Sequence, residues 1–477
     1  HNCLVGSEMC IRDSFEGESG TLVDDSLTIT DLDDEFLDKA EVIISENYLN
    51  GDNLSLTLSN GVISSLQDSV LTLAGYATLE QYRDMLRTLK FNNTTTTPTD
   101  TDNQSNNKRH RIITIKVRDS NADGLGANFS NVLSRRIDIT ADLDHTANNI
   151  SQRTNTELEL YRNVTANTNA LQSEANNIGA FNKAVAYSIS DTAKNIHDGN
   201  AIGRNEAINI VATTDATVQE GKTIFDATNS GNTTFNVNDT SANIAAGITA
   251  DSTSLLGSGT ITANTNALVA NANVFAGFSK SVEFNIVDSA ANIAAANLVG
   301  LNKAVNIEST DSCTFAQAKV LEDATNSGTK TYNISDTAVN IAAGVNTDSV
   351  TLNKAQTVSA STYATKTEAN TIATLTRTIN YSIKDTGANI SSTNSVGLNK
   401  SINIISSDAC TYAEAKVLHD ATNTGYNLYD IEDNAANLAA GTITDVNVIS
   451  GAQTVTVVGT TNVSQASNIA NISKSVT

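Results

Sequence analysis

The sequence contains no tryptophan, one proline and two methionines among its 477 residues. It also has no apolar run close to the roughly 20 residues that a membrane-spanning helix requires. Asn, Thr, Ser and Ala are abundant instead. Because these side chains are small, we expect a core of many thin layers rather than one thick hydrophobic centre, and we expect no insertion into a membrane.

Basic residues are also scarce. The 29 Lys and Arg are outnumbered by 52 Asp and Glu, which gives a net charge of −23 at pH 7. Nucleic acids are bound through clustered Lys and Arg that neutralise phosphates, and anionic lipid surfaces attract the same residues. The composition therefore argues against a nucleic acid partner and against docking on anionic membranes.

The common catalytic and nucleotide-binding motifs are missing as well. The sequence has no GxSxG, no HExxH, no Walker loop and no complete GxGxxG. Its five His residues are scattered, without a Cys or Glu at metal-ligand spacing. The GGxGxDxxx nonapeptides of calcium-binding toxin-type proteins are also absent. The sequence thus predicts a protein that is not an enzyme and not a calcium-roll solenoid.

Both ends of the chain raise an expectation. Residues 1–14 contain the stretch CLVGSEMCIRDS, which resembles a translated sequencing adapter, so we expect them not to be native. At the other end, aligning Val455 with Val358 places Thr477 inside a strand, before the next Asp of the repeat described below. Arrays of repeats carry capping repeats at their ends. The natural protein is therefore expected to continue with further repeats of the same kind.

One phrase recurs along the chain with a fixed period. Six aspartates are spaced alternately by 48 and 49 residues, and each is followed four residues later by Asn. Longer phrases return after 97 residues, as in VTANTNAL from Val164 and ITANTNAL from Ile261. A period of this length predicts a repeat architecture. The aspartates are Asp191, Asp239, Asp288, Asp336, Asp385 and Asp433.

Each half-repeat divides again into two rungs of about 24 residues, where a rung is one strand with the helix that follows it. Between Ala304 and Gly344, AVNIES alternates apolar and polar residues as a strand does, and TFAQAKVLEDA has one apolar helical face. A rung this short cannot bury its own apolar face, but stacked rungs can. Residues 142–477 are therefore expected to form an α/β solenoid of strand–helix rungs. An all-β solenoid or an array of sandwiches is the alternative.

The repeated aspartates have an expected role within these rungs. Each one follows a strand and precedes a short Ala-rich stretch, which is the position of a helix N-cap. Asn also serves as an N-cap. We therefore expect a local role for each carboxylate, in which Asn can replace Asp at little cost.

Residues 15–141 follow a different pattern. Short runs such as EVIIS and RIITIKV read as strands at the spacing of a β-sandwich, and TLEQYRDMLRTLKF reads as one amphipathic helix with a Thr78–Gln81 capping box. Together with ITDLDDEFLDKAEVII and ITIKVRD, this stretch resembles the cadherin-like β-sandwich modules of large bacterial surface adhesins. The downstream phrases DSAANIAA and DTAVNIAA are similar to repeats in very long exported bacterial proteins.

Acidic clusters are the best candidates for chemistry. The resemblance to cadherin-like modules implies calcium at a module junction, held by DxD elements such as the one in ADLDH. Calcium takes six to eight oxygen ligands. The alternative is that these aspartates cap turns and bind no metal. The candidate calcium ligands are Asp31, Asp33, Asp119, Asp142 and Asp144, with Asp34 and Asp123 beside them.

Taken with the resemblance, these features indicate a fragment of a large bacterial protein that is extracellular or attached to the cell surface. We expect an adhesive stalk that presents binding modules and makes many weak contacts with glycans or proteins of cell surfaces or matrix. A surface-layer subunit is one alternative. A polysaccharide-active solenoid enzyme is another, but it needs a groove that breaks the repeat, and no such break is evident in the sequence.

Overall fold

A computed structural model describes residues 3–5, 12–15, 18–59, 61–95, 99, 108–121, 124 and 126–477. Residues 1–2 and 6–11 of the adapter-like stretch therefore lie outside the described residues. The chain divides into two compact bodies. The first comprises His1–Thr213 and Ala227–Thr234, and the second comprises Thr214–Asp226 and Phe235–Thr477.

The strands before residue 141 are mostly antiparallel and enclose one hydrophobic core. They are β1 Cys3–Val5, β2 Arg12–Phe15, β3 Thr21–Leu22, β4 Thr28–Thr30, β5 Phe36–Glu46, β6 Asp52–Ser55, β7 Ile63–Gln67, β8 Val70–Thr78, β9 Lys90–Asn93, β10 His110–Asp119 and β11 Leu133–Thr140. Six of them form a sheet in the order β2-β11-β10-β5-β8-β7, and three form a second sheet in the order β3-β9-β6. Buried residues alternate with less buried ones along β10 because successive side chains point to opposite faces.

One helix, α1 (Leu79–Arg87), packs on this core. The Thr78 hydroxyl accepts a hydrogen bond from the backbone N–H of Gln81 at 3.2 Å, and the Gln81 side chain accepts one from the N–H of Thr78 at 2.9 Å. The predicted capping box is thus confirmed. Tyr82 and Leu86 are fully buried, as the helical periodicity predicts.

From Leu143 onward the described strand pairs are parallel. The strands are β12 Leu143–His145, β13 Val164–Ala166, β14 Ile189–Asp191, β15 Ile210–Ala212, β16 Thr233–Thr234, β17 Val237–Asp239, β18 Ile261–Ala263, β19 Ile286–Asp288, β20 Ile307–Ser309, β21 Lys330–Thr331, β22 Ile334–Asp336, β23 Val358–Ala360, β24 Ile383–Asp385, β25 Ile404–Cys410, β26 Asn427–Asn434 and β27 Val455–Val458. Ile286 aligns with Ile307, and Ile334 aligns with Val358. Residues that pair between neighbouring strands are therefore separated in sequence by about the length of one predicted rung.

Helices alternate with these strands, so the repeat region, defined as residues 142–477, is mixed α/β. Its sheets have two to four strands and are not closed into a barrel. The all-β alternative is therefore wrong. The helices are α2 Ala147–Ser151, α3 Asn155–Leu158, α4 Gln172–Ile178, α5 Ala193–Asp198, α6 Ala201–Asn205, α7 Val218–Phe225, α8 Ser241–Ala250, α9 Thr253–Gly257, α10 Val269–Gly277, α11 Ala290–Ala294, α12 Leu298–Lys303, α13 Phe315–Asp323, α14 Ala338–Thr347, α15 Ser349–Lys354, α16 Lys366–Ile372, α17 Gly387–Ser391, α18 Ser395–Asn399, α19 Tyr412–His419, α20 Ala435–Thr444, α21 Val446–Gly451 and α22 Val463–Ile469.

The core of the repeat region consists of thin layers, each built from few side chains. In every second rung an aromatic ring lies two residues before the buried Ile or Val of the strand. Where the residue is Tyr, its hydroxyl donates a hydrogen bond to a backbone carbonyl oxygen. For example, Tyr332 donates to the carbonyl oxygen of Thr351 at 2.9 Å. The rings are Tyr187, Phe235, Phe284, Tyr332, Tyr381 and Tyr429, all at most 2% exposed.

Candidate functional site

Each repeated aspartate joins its own rung to the rung before it. Asp336 ends β22 and is only 7% exposed. Its Oδ1 accepts hydrogen bonds from the backbone N–H of Thr337 at 2.7 Å and from the Asn340 amide at 2.8 Å. Its Oδ2 accepts one from the backbone N–H of Phe315 at 2.9 Å. Phe315 is the first residue of α13 in the preceding rung, and a first-turn N–H has no acceptor within its own helix.

The same three bonds recur at all six repeated aspartates. One oxygen serves the next residue and the Asn four positions on, and the other serves the first residue of the helix in the preceding rung. The helix residues whose N–H groups are bonded in this way are Gln172, Val218, Val269, Phe315, Lys366 and Tyr412.

In the helices that alternate with these six, a different side chain accepts a hydrogen bond from the first backbone N–H. The Thr265 hydroxyl accepts from the N–H of Ser241, the first residue of α8, at 3.0 Å. Asp408 Oδ1 accepts from the N–H of Gly387, the first residue of α17, at 2.7 Å. The acceptor again comes from the following rung. Helix N-termini in both kinds of rung are thus satisfied across a rung boundary.

The expected N-cap position of the aspartates is wrong by one residue. The N-cap of α14 is Thr337, whose hydroxyl accepts from the N–H of Asn340 at 3.2 Å. Asp336 precedes this residue and still belongs to the strand. From there its carboxylate reaches the neighbouring rung, which local capping preferences do not reveal. The role of the carboxylate is therefore a link between rungs rather than a local cap.

These bonds favour the ionised carboxylate. Burial opposes ionisation of Asp191, Asp288 and Asp385, but the hydrogen bonds from backbone N–H groups and from the Asn amides outweigh it. The pKa of each carboxyl is lowered from its ordinary value of 3.8. An anion at the start of a helix also interacts favourably with the helix dipole.

Asp142, a candidate calcium ligand, is engaged by protein donors. Its two oxygens accept from the Arg162 guanidinium at 3.1 and 3.0 Å, and Oδ1 also accepts from the backbone N–H of Asn163 at 3.1 Å. The bonds from Arg162 are the main cause that lowers the pKa of this carboxyl. Asp144 is exposed on β12. A guanidinium beside the carboxylate occupies the place that a calcium ion would take, so this DxD element does not fit a calcium site.

The other candidate ligands serve turns. Both oxygens of Asp119 accept from the backbone N–H of Asn128 at 3.1 Å, which closes the loop between β10 and β11. Asp31 Oδ1 accepts from the N–H of Asp33 at 3.3 Å. Asp123 lies outside the described residues. Among those that the structure describes, no three acidic, His or Cys side chains are grouped to hold a metal ion. The described candidate ligands thus give no support to a calcium site, and binding of this ion stays a prediction.

A cleft of about 580 Å³ lies in the second body, between α7, α8 and α9. Val218, Ala246 and Gly247 contribute apolar surface to its wall. Lys222 and Asp251 lie at its edge and form an ion pair at 2.9 Å.

The residue that lies against the glycine of this cleft differs between the copies of the repeat. Val218 corresponds to Phe315 and Tyr412, which follow at intervals of 97 residues. A methyl group added to Gly344 would come within 2.7 Å of the Phe315 ring, so this ring lies directly against the glycine. Tyr412 lies in the same way against the next equivalent glycine. Val218 and Leu255 take this place at Gly247, where an added methyl group would come within 2.7 Å of Val218 and 3.3 Å of Leu255.

The acidic group at the edge of the cleft is held as an anion. Asp251 Oδ1 accepts from the hydroxyl of Thr253 at 2.6 Å and from its N–H at 3.1 Å, and Oδ2 accepts from Lys222 at 2.9 Å. The Thr253 hydroxyl, followed by the Lys222 ammonium, lowers the pKa of Asp251 to about 2. A general acid needs a raised pKa. The lowered pKa therefore argues against Asp251 as a general acid.

Comparisons with known proteins identify no relative. No protein-family model matches the chain, and no curated protein and no solved structure matches it. In the part of the chain that the structure describes, no helix combines the length and the apolar character needed to cross a membrane.

Replacing Asp336 tests the link between rungs. Asp336→Ala should lower the free energy of unfolding by about 1–3 kcal/mol, because the Phe315 N–H loses its acceptor. Asp336→Asn should cost nearly as much, since the amide NH₂ would face that N–H while the single oxygen serves Thr337. The exposed pair of Asp323 with Lys319 provides a control, because Asp323→Ala should change stability by at most about 0.5 kcal/mol. Urea unfolding followed by circular dichroism measures all three, and an Asn variant as stable as the wild type would contradict the link.

The lowered pKa values of Asp191, Asp288 and Asp385 predict how stability depends on pH. A carboxyl with a lowered folded-state pKa stabilises the fold fully above its unfolded pKa, and this contribution is lost as the pH falls through the folded value. The urea midpoint should therefore be constant from neutral pH to about pH 4 and decrease below it. The triple variant with Asn at these positions should show a shallower decrease, and an unchanged slope would count against this role.

Proposed function

We propose that the repeat region is an α/β solenoid with a structural and adhesive function, in a large protein that bacteria secrete or attach to their surface. The set of side-chain bonds between successive rungs is the observation that carries this proposal. A rung whose helix N-terminus is bonded by the next rung is stable only within an array. Such an array suits a stalk that must resist being pulled apart.

Columns of Asn support the same interpretation. Asn302 Oδ1 accepts from the backbone N–H of Thr325 at 2.7 Å, and Asn306 Oδ1 accepts from that of Thr329 at 2.8 Å. Each bond again joins one rung to the next. In other copies the backbone N–H group donates to the Asn Oδ1 atom in the same way, from Thr228 to Asn205, from Asn232 to Asn209, from Thr422 to Asn399 and from Tyr426 to Asn403.

Basic residues reinforce the rung boundaries at the other ends of the helices. Lys303 Nζ donates to the carbonyl oxygen of Ala276 at 3.0 Å, and Lys400 Nζ donates to those of Ala373 and Leu375 at 2.8 Å. The last carbonyl groups of a helix lack partners within it and form the negative end of its dipole. Part of the small basic complement is thus used within the fold rather than clustered to bind phosphate.

One face of the repeat region is suited to many weak contacts. The middle residue of the short strands is more exposed than the buried residue before it, as in the patterns of β22 and β23. Many of these residues are short and polar, for example Asn238, Thr262, Ser335 and Ser359. Hydroxyl and amide groups bind glycans and proteins weakly, and repetition multiplies the effect. Glycans or proteins of cell surfaces or matrix are therefore the partners we propose.

The remaining parts of the chain are assigned accordingly. Residues 15–141 would be a cadherin-like sandwich, which is supported by two sheets around one core. The chain would not be an enzyme, because the common catalytic motifs do not occur in the sequence. A location outside the cell or at its surface follows from the adhesive role, and the net charge of −23 favours solubility there.

The proposal predicts adhesion that depends on many contacts at once. Beads carrying the chain at increasing density should adhere to glycan- and protein-coated surfaces more steeply than in proportion to density. A variant with Thr262→Glu, Ser335→Glu and Ser359→Glu should show reduced adhesion, because these substitutions alter the exposed sheet face. A variant with the same added charge on exposed helix positions, Ala291→Glu, Ala316→Glu and Ala413→Glu, is the matched control and should adhere like the wild type.

Four outcomes would contradict the proposal. Adhesion that is proportional to density, or equal losses in the two Glu variants, would argue against contacts through the sheet face. Ordered two-dimensional arrays that form on addition of calcium would favour a surface-layer subunit. Release of shortened products from a polysaccharide would favour an enzyme.

A further inference from the structure

We propose that Asn50 is a site of spontaneous self-modification, at which the side-chain amide is lost as ammonia and the residue becomes aspartate or isoaspartate. The site lies in the segment between β5 and β6 of the first body. The inference concerns this segment and the core beside it, and it does not depend on the proposed adhesive function.

The turn that contains Asn50 presents the two groups that must react. Asn50 is exposed, and its side chain takes part in none of the hydrogen bonds that the structure describes. Gly51 has a φ of +92°, a left-handed conformation that Gly adopts without strain. The N–H of Asp52 closes the turn by donating to the carbonyl oxygen of Leu49 at 3.0 Å. Among the described bonds the N–H of Gly51 has no acceptor, so its nitrogen is available.

The reaction is an intramolecular acyl transfer followed by hydrolysis. The Gly51 nitrogen, after losing its proton to solvent, attacks the Asn50 Cγ atom, and the new C–N bond displaces the amide group as ammonia. Water then opens the resulting succinimide. Attack of water at Cγ gives aspartate, and attack at the backbone carbonyl carbon gives isoaspartate. Adjacent groups react without a bimolecular encounter, and Gly51 has no side chain to hinder their approach.

The repeated Asn residues of the repeat region are held differently. Asn340 donates from its side chain to Asp336 at 2.8 Å. The next residue is Ile341, whose N–H donates to the carbonyl oxygen of Thr337 at 3.0 Å within the first turn of α14. The nitrogen that would have to attack is therefore engaged, and a branched side chain shields it. Asn50 has neither protection, so the abundance of Asn does not make every copy of the repeat labile.

Formation of isoaspartate would disturb a buried ion pair. Isoaspartate carries the main chain through its side-chain carbons, which lengthens the turn between Leu49 and Asp52. Arg111 donates hydrogen bonds to both oxygens of Asp52, at 2.5 and 3.0 Å, and neither side chain of this pair is exposed. The N–H of Leu49 also donates to Asp52, at 2.8 Å. A lengthened turn displaces Asp52 from these donors, so the modified chain should be less stable.

Incubation of the full chain at mildly alkaline pH and physiological temperature tests the proposal, with tandem mass spectrometry of its peptides to locate the change. Residue 50 should gain the mass difference between an amide and an acid, whereas Asn340 should stay unchanged. Digestion before Asp52 separates Asn50 from Asn60, the other Asn that precedes Gly in the sequence. A synthetic peptide with the sequence of residues 48–54 gives the rate in an unfolded chain.

Asn50→Gln is the matched variant, because its longer side chain forms a cyclic imide much more slowly and its exposed position should let the chain fold. The urea midpoint of the wild type should fall during incubation as isoaspartate accumulates, and that of Asn50→Gln should fall less. An Asn50 that stays intact in the folded chain while the peptide converts would overturn the proposal. An equal fall of the urea midpoint in the wild type and in Asn50→Gln would overturn the link to the pair of Asp52 and Arg111.

Discussion

The repeat region depends on one requirement, which is that the first N–H groups of many short helices need acceptors from outside those helices. No helix described in the repeat region is longer than ten residues, so a large share of their backbone donors would otherwise be unsatisfied. A side-chain oxygen of the following rung accepts one of these donors, as Asp336 does for Phe315. Burying that donor without a partner would cost about 1–3 kcal/mol. Each rung is therefore complete only when the next one is in place.

This requirement explains the unusual composition. Asp, Asn, Thr and Ser have short side chains with an oxygen that reaches a backbone donor on a neighbouring rung without filling the thin core. Proline, which lacks an N–H, would remove the donor that these side chains accept. In the helices that the repeated aspartates do not serve, the acceptor of the first N–H alternates between Thr, as in Thr265 and Thr362, and another Asp, as in Asp311 and Asp408. The true period is therefore 97 residues rather than 48 or 49.

The sequence predicts features that depend on local pattern, and it misses those that depend on contacts between distant residues. The period, the strand–helix alternation and the capping box of α1 follow from spacing and from local preferences. The role of Asp336 does not, because its decisive partner lies 21 residues earlier, in another rung. The same holds for Asp142, whose oxygens face Arg162 instead of offering a calcium site. The cleft was not predicted either, because its lining comes mostly from three helices that meet only in the folded chain.

Residue-resolved hydrogen exchange of the unmodified chain is the most direct test of the links between rungs. In an isolated helix the first amide exchanges rapidly because no acceptor is available. If Asp336 accepts from the preceding rung in solution, the amide of Phe315 should be protected to nearly the same degree as that of Ala318, which is bonded within the helix to Thr314. The first amides of α10 and α19 should behave in the same way. Exchange of these amides at rates close to those of an unstructured chain, while Ala318 remains protected, would contradict the links between rungs.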